Sequence, residues 1–171
     1  TLLQLNQHFS YSSDNATWQW QGVGHSYSAL PLPLVPVQNV ATSLAVLEQL
    51  NRLPDTALLT QCLHTLSLPG RMQQLQQAPT IMVDVAHNPQ SAAYLAAQLQ
   101  RLKPQYGKIV ALVGMLKDKD IRQALLPLTA TIDEWHLVSL PGTRGASCGL
   151  LAQALAAVTP TLNISSKQYD T

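Results

Sequence analysis

Charged side chains are scarce in this chain. Asp, Glu, Lys and Arg together make up 11% of its 171 residues, whereas roughly 25% is usual for a soluble domain. The ten basic residues form no dense tract, and the formal net charge is only +1. Because binding to a nucleic-acid backbone depends on a concentrated positive surface, this composition argues against a nucleic-acid partner. The hydrophobic fraction of 46% is still sufficient for a folded core.

Long apolar segments and clustered cysteines are also missing. No run approaches the roughly 20 apolar residues that cross a bilayer, and the N-terminus has no basic region followed by an apolar stretch, as a signal peptide would. The two cysteines, Cys62 and Cys148, lie far apart and outside any metal-ligand spacing. The sequence therefore predicts a cytoplasmic protein with reduced cysteines, no metal site of its own and no membrane partner.

Two nucleotide-binding signatures are absent as well. There is no G-x-G-x-x-G after a strand, which argues against a nicotinamide-dependent oxidoreductase. There is also no G-x-x-x-x-G-K-[ST] loop to hold the phosphates of a nucleoside triphosphate. A receiver-like module would need an acidic pair at the end of an earlier strand, and residues 71–77 contain none.

The first third of the chain has its own pattern. Residues 8–27 alternate aromatic and polar positions around a turn-forming cluster at 12–15, which predicts an antiparallel hairpin. The prolines of residues 30–36 predict an extended connector. Asn39 can cap a following helix with Leu44, Leu47 and Leu50 on one face. Pro69-Gly70 then marks a predicted domain boundary, with residues 1–68 before it and 69–171 after it.

Strands and helices alternate after that boundary. Buried strands are predicted at 80–85, 109–113 and 135–140, and helices after Asn88-Pro89 and at 120–128 and 147–158. The inward face of the last helix is expected to contain Leu150, Leu151, Ala154, Leu155 and Val158. Residues 164–171 are expected to form no final strand or helix. This alternation predicts an α/β fold with a doubly wound, mostly parallel sheet and helices on both faces.

Polar residues follow the first of these strands in the order Asp84-Val85-Ala86-His87-Asn88-Pro89. In open parallel sheets, ligands bind beyond the carboxyl ends of the strands. A carboxylate there can accept hydrogen bonds from the two hydroxyls of a sugar. The local sequence is equally compatible with a structural role for both residues, in which Asp84 accepts hydrogen bonds from nearby backbone amides and His87 only packs.

The wider pattern resembles a known family. Pro69-Gly70-Arg71, followed after twelve residues by Asp84-Val85-Ala86-His87-Asn88-Pro89, is similar to the C-terminal domain of folylpolyglutamate synthases, which belong to the Mur ligase family and include bifunctional bacterial dihydrofolate synthases. The similarity continues into 114–120 and 140–146 and reaches back to 36–44, which looks like the end of the family's central ATPase domain. It covers essentially the whole chain.

The resemblance implies an ATP-dependent ligase that adds L-glutamate to a pteroate or folate through an acyl phosphate, with ATP and Mg²⁺ as cofactors. It matches Arg71 with a phosphate-contacting arginine, Asp84 with a ribose-binding aspartate and Asn39 with an asparagine that reads adenine. For Asn39, a plain helix cap is an open alternative. It also matches His87 with a histidine near the acyl phosphate and the incoming glutamate, where positioning is favoured over proton abstraction.

The sequence departs from the family in three respects. The P-loop and the magnesium-binding residues belong to an N-terminal part of the family that is not present. A closing strand with a Gly-Ser-aromatic turn is not found either, and Leu34 to Gln38 lacks the histidine often seen shortly before the adenine-reading asparagine. The chain is therefore expected to be a fragment that is inactive alone. A non-catalytic doubly wound nucleotide-binding or receiver-like module remains the alternative.

A second charged segment has no settled role from sequence. Residues 117–120 (Lys-Asp-Lys-Asp) form the densest charge cluster, and Arg144 lies in a comparable loop. A solvated loop with a helix cap and a functional loop at the end of a strand are both compatible with this pattern.

Overall fold

The computed structural model describes residues 2–14, 16–159 and 165–170. The chain divides into two compact units, Thr1–Asp84 and Val85–Thr171. No helix in the described ranges is long and apolar enough to cross a membrane. Cys62 is exposed and Cys148 is buried, and both are free thiols, as expected.

The first unit begins with a three-stranded antiparallel sheet. Its strands are β1 (Ser10–Ser13), β2 (Thr17–Gln21) and β3 (Ser26–Pro31), in the order β1-β2-β3. The predicted hairpin is confirmed, and Tyr11 pairs with Trp20 across it. The predicted extended connector was wrong at its start, because β3 includes Pro31. A proline is compatible with this position because β3 is an edge strand of the sheet.

Two helices pack against this sheet, α1 (Val37–Gln49) and α2 (Thr56–Thr65). The core that they share with the strands includes four residues that are at most 2% exposed, Trp18, Trp20, Leu30 and Leu44. Leu50 was wrongly predicted to lie on the buried face. It is 62% exposed because the helix has already ended at Gln49.

A buried carboxylate ties the β2–β3 turn to α1. Glu48 accepts hydrogen bonds from the backbone amides of Val23 (2.9 Å), Gly24 (2.9 Å) and His25 (3.0 Å), and its Oε1 lies 3.2 Å from the His25 Nδ1. Burial alone would raise the pKa of Glu48, but the hydrogen bonds from Gly24, Val23 and His25 outweigh it and hold the pKa below its usual value. A side chain at Gly22 would collide with this carboxylate, so the turn requires glycine there.

We expect Glu48→Gln to lower the free energy of unfolding at pH 7 by about 2 kcal/mol. The amide of glutamine has one uncharged acceptor oxygen, whereas the carboxylate accepts hydrogen bonds through two charged oxygens. A carboxyl group whose pKa falls on folding stabilises the folded state above its unfolded value, near 4.5, and this contribution is lost as the pH falls through the lower folded-state pKa. The variant should therefore lose less stability than the parent below pH 4.5. Urea unfolding across pH measures both effects, with Gln49→Ala on the exposed side of the same helix as control.

A glutamine-rich hairpin completes the first unit. Strand β4 (Gln73–Gln77) pairs antiparallel with β5 (Thr80–Val83). Residues 80–85 were predicted to be a strand buried on both faces, and this was wrong, since Ile81 is 43% exposed. The apolar run is not covered on both faces because it lies in a two-stranded sheet, where its neighbour is the glutamine-rich strand β4.

The second unit is an α/β arrangement around a parallel sheet, as predicted. The strands are β6 (Val110–Val113), β7 (Glu134–Val138) and β8 (Ser165–Tyr169), in the order β6-β7-β8. The helices are α3 (Pro89–Leu102), α4 (Ile121–Leu125) and α5 (Cys148–Val158). Short 3₁₀ turns follow α3 and α4, and the second contains Pro127, so α4 is shorter than the helix predicted over 120–128.

The helix starts of this unit follow the sequence signals. Asn88 caps α3 by accepting the Ser91 amide at 2.9 Å, with Pro89 as the first helical residue. Asp120 caps α4, and Ser147 caps α5. Local capping chemistry therefore sets where each helix begins.

One face of the parallel sheet forms the core of this unit with the helices. Its most buried residues are Leu125, Trp135, Leu137 and Leu151, all 0% exposed. Two predictions of burial were wrong: Leu150 on α5 is 41% exposed, and on β6 Leu112 is 73% exposed. Leu112 lies on the sheet face opposite to Ala111 and Val113, which pack against the core.

The prediction that no strand follows residue 164 was also wrong. Strand β8 pairs in parallel with β7, and the Tyr169 hydroxyl lies 2.9 Å from Nδ1 of His136 on the neighbouring strand. Nε2 of His136 lies 2.9 Å from Glu134, which also pairs with Lys108 and Lys167. The hydrogen bonds from Lys108, His136 and Lys167 lower the pKa of Glu134 to about 2.

Candidate functional site

A tight turn presents Arg71 at the entrance to the β4–β5 hairpin. The Arg71 amide donates to the Leu68 carbonyl at 3.0 Å, and Gly70 has a φ of 68°. A type II turn requires a left-handed residue at its third position and favours proline at its second, and Pro69-Gly70 meets both. The local sequence therefore fixes the position of the arginine backbone.

Asp84 holds the residue that follows Arg71. Its Oδ2 accepts the backbone amide of Met72 at 2.9 Å. Met72 is buried and has a φ of 44°, a left-handed conformation that a non-glycine residue adopts at an energetic cost. The hydrogen bond to the carboxylate stabilises this conformation. The structure thus brings the Arg71 segment and Asp84 together, although twelve residues separate them in sequence.

Arg71 and Asp84 are both half-buried. Neither side chain is enclosed in the core, so both are accessible to a ligand in solution. A guanidinium on this turn and a carboxylate bonded to the residue after it can bind a molecule that carries an anionic group and hydroxyls. The alternative in which Asp84 accepts a backbone amide is also observed, so this residue has a structural contact whatever ligand it binds.

His87 lies exposed just before the cap of α3. Its Nδ1 is 2.8 Å from the Val85 carbonyl oxygen. A carbonyl oxygen only accepts hydrogen bonds, so Nδ1 must carry a proton, and in the neutral ring the lone pair is on Nε2. The His87 amide donates to the Ser91 hydroxyl at 3.2 Å. The histidine is therefore held by its backbone and by one ring nitrogen, with Nε2 as the acceptor.

Asn39 does not cap α1, which corrects the simpler expectation for this residue. The cap position is Pro36, whose carbonyl accepts the Asn39 amide at 2.9 Å, and no side chain caps this helix. The helix begins earlier than predicted because Pro36 already has the backbone geometry of a cap, with φ of −54° and ψ of 126°. Asn39 lies exposed in the first turn.

The two charged loops of the second unit pack together. The Lys117 amide donates to the Arg144 carbonyl at 2.9 Å, and Arg144 forms an ion pair with Asp118 at 3.1 Å. Lys119 lies 3.6 Å from the same carboxylate. Desolvation would raise the pKa of Asp118, but the hydrogen bond from Arg144 outweighs it and lowers the pKa. These loops follow the carboxyl ends of β6 and β7, and their cations are partly neutralised by Asp118.

Sequence reasoning missed Gln73, whose side chain contacts the same turn as Arg71. Its Oε1 accepts the Gly70 amide at 2.9 Å. The only available signal was a hydrogen-bond acceptor three residues after the turn glycine, which is too common to be informative alone. Within residues 2–14, 16–159 and 165–170, no three His, Cys, Asp or Glu side chains converge in a way that could hold a metal ion.

Comparison with known proteins adds independent observations. Residues 70–168 match the family described as Mur ligase, glutamate ligase domain. The match begins one residue after the boundary predicted from Pro69-Gly70, whereas the compact units divide after Asp84, so the predicted boundary remains a prediction.

Individual relatives agree with the family match. The chain is 36% identical over 147 residues to the dihydrofolate synthase/folylpolyglutamate synthase of Escherichia coli K12, covering 86% of this chain and 35% of that protein. A crystal structure of a bifunctional folylpolyglutamate synthase/dihydrofolate synthase with Mn, AMPPNP and L-glutamate bound is similar with a TM-score of 0.79 and 38% identity, covering 99% of this chain and 39% of that one. The structure of E. coli FolC in complex with DHPP and ADP is similar with a TM-score of 0.79 and 33% identity, covering 96% of this chain and 38% of that one.

The chain thus spans between a third and two-fifths of the length of these relatives. The family model covers more than half of the chain, and the solved relatives share its fold at high structural similarity. The chain therefore belongs to the Mur ligase family and contains its glutamate ligase domain.

Proposed function

We propose that this chain is the C-terminal part of a cytoplasmic ATP-dependent ligase that adds L-glutamate to dihydropteroate, to folyl(poly)glutamate or to both. The relatives named above support the reaction, and the Arg71–Asp84 turn is the observation in the structure that carries it. Residues 1–68 would then be the end of the central ATP-binding domain, and residues from 69 onward the C-terminal ligase domain.

The proposed chemistry has two steps. A carboxylate is a poor electrophile, so its oxygen first attacks the γ-phosphorus of ATP, releasing ADP and leaving an acyl phosphate. The ammonium group of glutamate loses one proton to solvent and its nitrogen attacks the acyl carbon; inorganic phosphate leaves with the electrons of the broken C–O bond and takes up the second proton that the nitrogen gives up. Both steps depend on positioned reactants and on cations near the phosphates. Mg²⁺ would neutralise phosphate charge when bound, through ligands outside this chain.

Three residues of the first unit would bind the nucleotide. The guanidinium of Arg71 suits phosphate oxygens because it stays charged and can donate two parallel hydrogen bonds. Asp84 would accept hydrogen bonds from the ribose hydroxyls while its Oδ2 keeps the Met72 amide. Asn39 would read the adenine edge with one donor and one acceptor, and its exposure and lack of a capping role support this assignment.

His87 would act on the incoming glutamate. Because Nδ1–H donates a hydrogen bond to the Val85 carbonyl, Nε2 of the neutral ring is an acceptor. Such an acceptor can orient the amino group by a hydrogen bond before attack. We propose that His87 positions the amine, and that proton removal does not depend on it.

The alternative, a non-catalytic nucleotide-binding or receiver-like module, has no observation in its favour. Oδ2 of Asp84, the candidate phosphoacceptor, already accepts the Met72 amide. The relatives named above are synthases and give the alternative no support.

The proposal is tested by restoring the N-terminal part that carries the P-loop and measuring phosphate release. We expect release to require ATP, a pteroate or folate, and L-glutamate together, with ATP as the phosphate donor. The 171-residue chain alone is expected to show weak or undetectable ATP binding in calorimetry, because it lacks the loop that grips the phosphates. ATP hydrolysis that does not depend on a pteroate or folate and on L-glutamate would contradict the proposal. Micromolar ATP binding by the chain alone would contradict it as well.

A further inference from the structure

Three consecutive backbone amides around Arg71 are each held by a different group. The Gly70 amide donates to Oε1 of Gln73, the Arg71 amide to the Leu68 carbonyl, and the Met72 amide to Asp84. Only the central bond is part of the turn itself. The two flanking bonds come from side chains, one on each side of the arginine.

We propose that Gln73 is a positioning residue for Arg71, acting through the Gly70 amide; this inference rests on the proposed role of Arg71 in nucleotide binding. Arginine has a long, flexible side chain, and ordering it when a ligand binds costs conformational entropy. If its backbone is already held in one place, less entropy is lost on binding. The contact of Asp84 with this segment is to the Met72 amide, on the far side of Arg71 from Gly70. Gln73 supplies the second point of attachment.

The four glutamines of β4 make this assignment specific. Gln73 is half-buried, whereas Gln74, Gln76 and Gln77 are exposed. The side chains of Gln74 and Gln76 donate to nearby carbonyls of the hairpin, of Gln76 and Ala78 respectively. Gln73 instead uses its oxygen as an acceptor for the turn. Gln77 at the other end of the strand is therefore a matched control with the same side chain.

The experiment uses the full-length enzyme that contains this chain and compares Gln73→Met, Gln73→Glu and Gln77→Met. Methionine keeps the length of the side chain and removes the acceptor, whereas glutamate keeps an acceptor for the Gly70 amide. We expect Gln73→Met to raise KM for ATP about fivefold with a smaller change in kcat, since one hydrogen bond is worth roughly 1 kcal/mol. Gln73→Glu and Gln77→Met should stay within about twofold of the parent, inside the usual scatter of surface substitutions.

Two further measurements separate positioning from general stability. Hydrogen exchange at the Gly70 amide should accelerate in Gln73→Met and not in Gln77→Met. Added to Arg71→Ala, the Gln73→Met change should have no further effect on KM, because the group that it positions is gone. Additive effects would overturn the inference, and so would an unchanged KM in Gln73→Met.

The outcome for Arg71→Ala distinguishes the two proposals. If Arg71→Ala raises KM for ATP and Gln73→Met does not, the role of Gln73 is refuted while the nucleotide role of Arg71 stands. If Arg71→Ala behaves as the parent, the proposed nucleotide role of Arg71 fails and the inference fails with it. If Gln73→Met does not fold, Gln73→Ala, which also lacks the acceptor, takes its place, and an unchanged KM for ATP in that folded variant would overturn the inference.

Discussion

Replacing Asp84 with alanine should lower kcat/KM for ATP by at least about 100-fold in the full-length enzyme, because hydrogen bonds from sugar hydroxyls to a carboxylate are each worth about 1.5–3 kcal/mol. The alanine variant also loses the acceptor for the Met72 amide, so the strained backbone beside Arg71 is released. Asp84→Asn separates these effects, since its side-chain oxygen can still accept the Met72 amide without a charge. We expect Asp84→Asn to keep the thermal stability of the parent and to lose about 10-fold in kcat/KM, corresponding to about 1.4 kcal/mol.

A nucleotide analogue makes the assignment to ribose testable. The parent should discriminate strongly against 2′,3′-dideoxy-ATP, which lacks both hydroxyls, and Asp84→Asn should discriminate much less. If the loss in Asp84→Asn is the same for ATP and the dideoxy analogue, Asp84 does not contact the ribose. The contact with Met72 would then be the whole role of this carboxylate.

Replacing His87 with alanine should lower kcat by about 100-fold with little change in KM for ATP, within the range for a group that orients or activates a nucleophile. Asparagine can still donate to the Val85 carbonyl, but it has no acceptor at the position of Nε2. We therefore expect His87→Asn to be as slow as His87→Ala. Glutamine can place an acceptor near Nε2 and cannot take a proton, so His87→Gln should recover to within about tenfold of the parent, because positioning depends on geometry alone.

The same series distinguishes positioning from proton abstraction. If His87→Gln is as slow as His87→Ala, the imidazole is needed as a base, and the positioning role is wrong. If His87→Asn keeps the parental kcat, the contact with Val85 is the only contribution of the ring. His64, exposed in the last turn of α2, provides a control histidine whose replacement by alanine should leave kcat unchanged.

Parts of the fold that depend on neighbouring residues were predicted well. Asn88-Pro89 and Ser147 begin helices as expected, because a capping side chain bonds to amides only three residues away. Asn39 shows the limit of this signal. An asparagine before a helical pattern resembles a cap, but Pro36 already occupies that position three residues earlier.

Burial was predicted less well than secondary structure. Leu112 and Leu150 have the apolar character of core residues, yet 73% and 41% of their surfaces are exposed. A hydrophobic pattern identifies which residues could be buried, but whether a face is covered depends on which elements pack against it. The strand at 165–169 was missed for a related reason, since its sequence SSKQY is polar and its strand conformation comes from pairing with β7.

The sequence by itself determined the α/β character and the helix starts of the second unit, because these depend on local periodicity and capping, and the resemblance of its short motifs to the Mur ligase family indicated Arg71, Asp84 and His87 as candidates. Only the tertiary structure decided that Asp84 bonds beside Arg71 and that Gln73 holds the other side of the same turn. The difference has a physical origin. A turn conformation is specified by its own residues, whereas a hydrogen bond across twelve residues requires the intervening hairpin to fold and bring its two ends together.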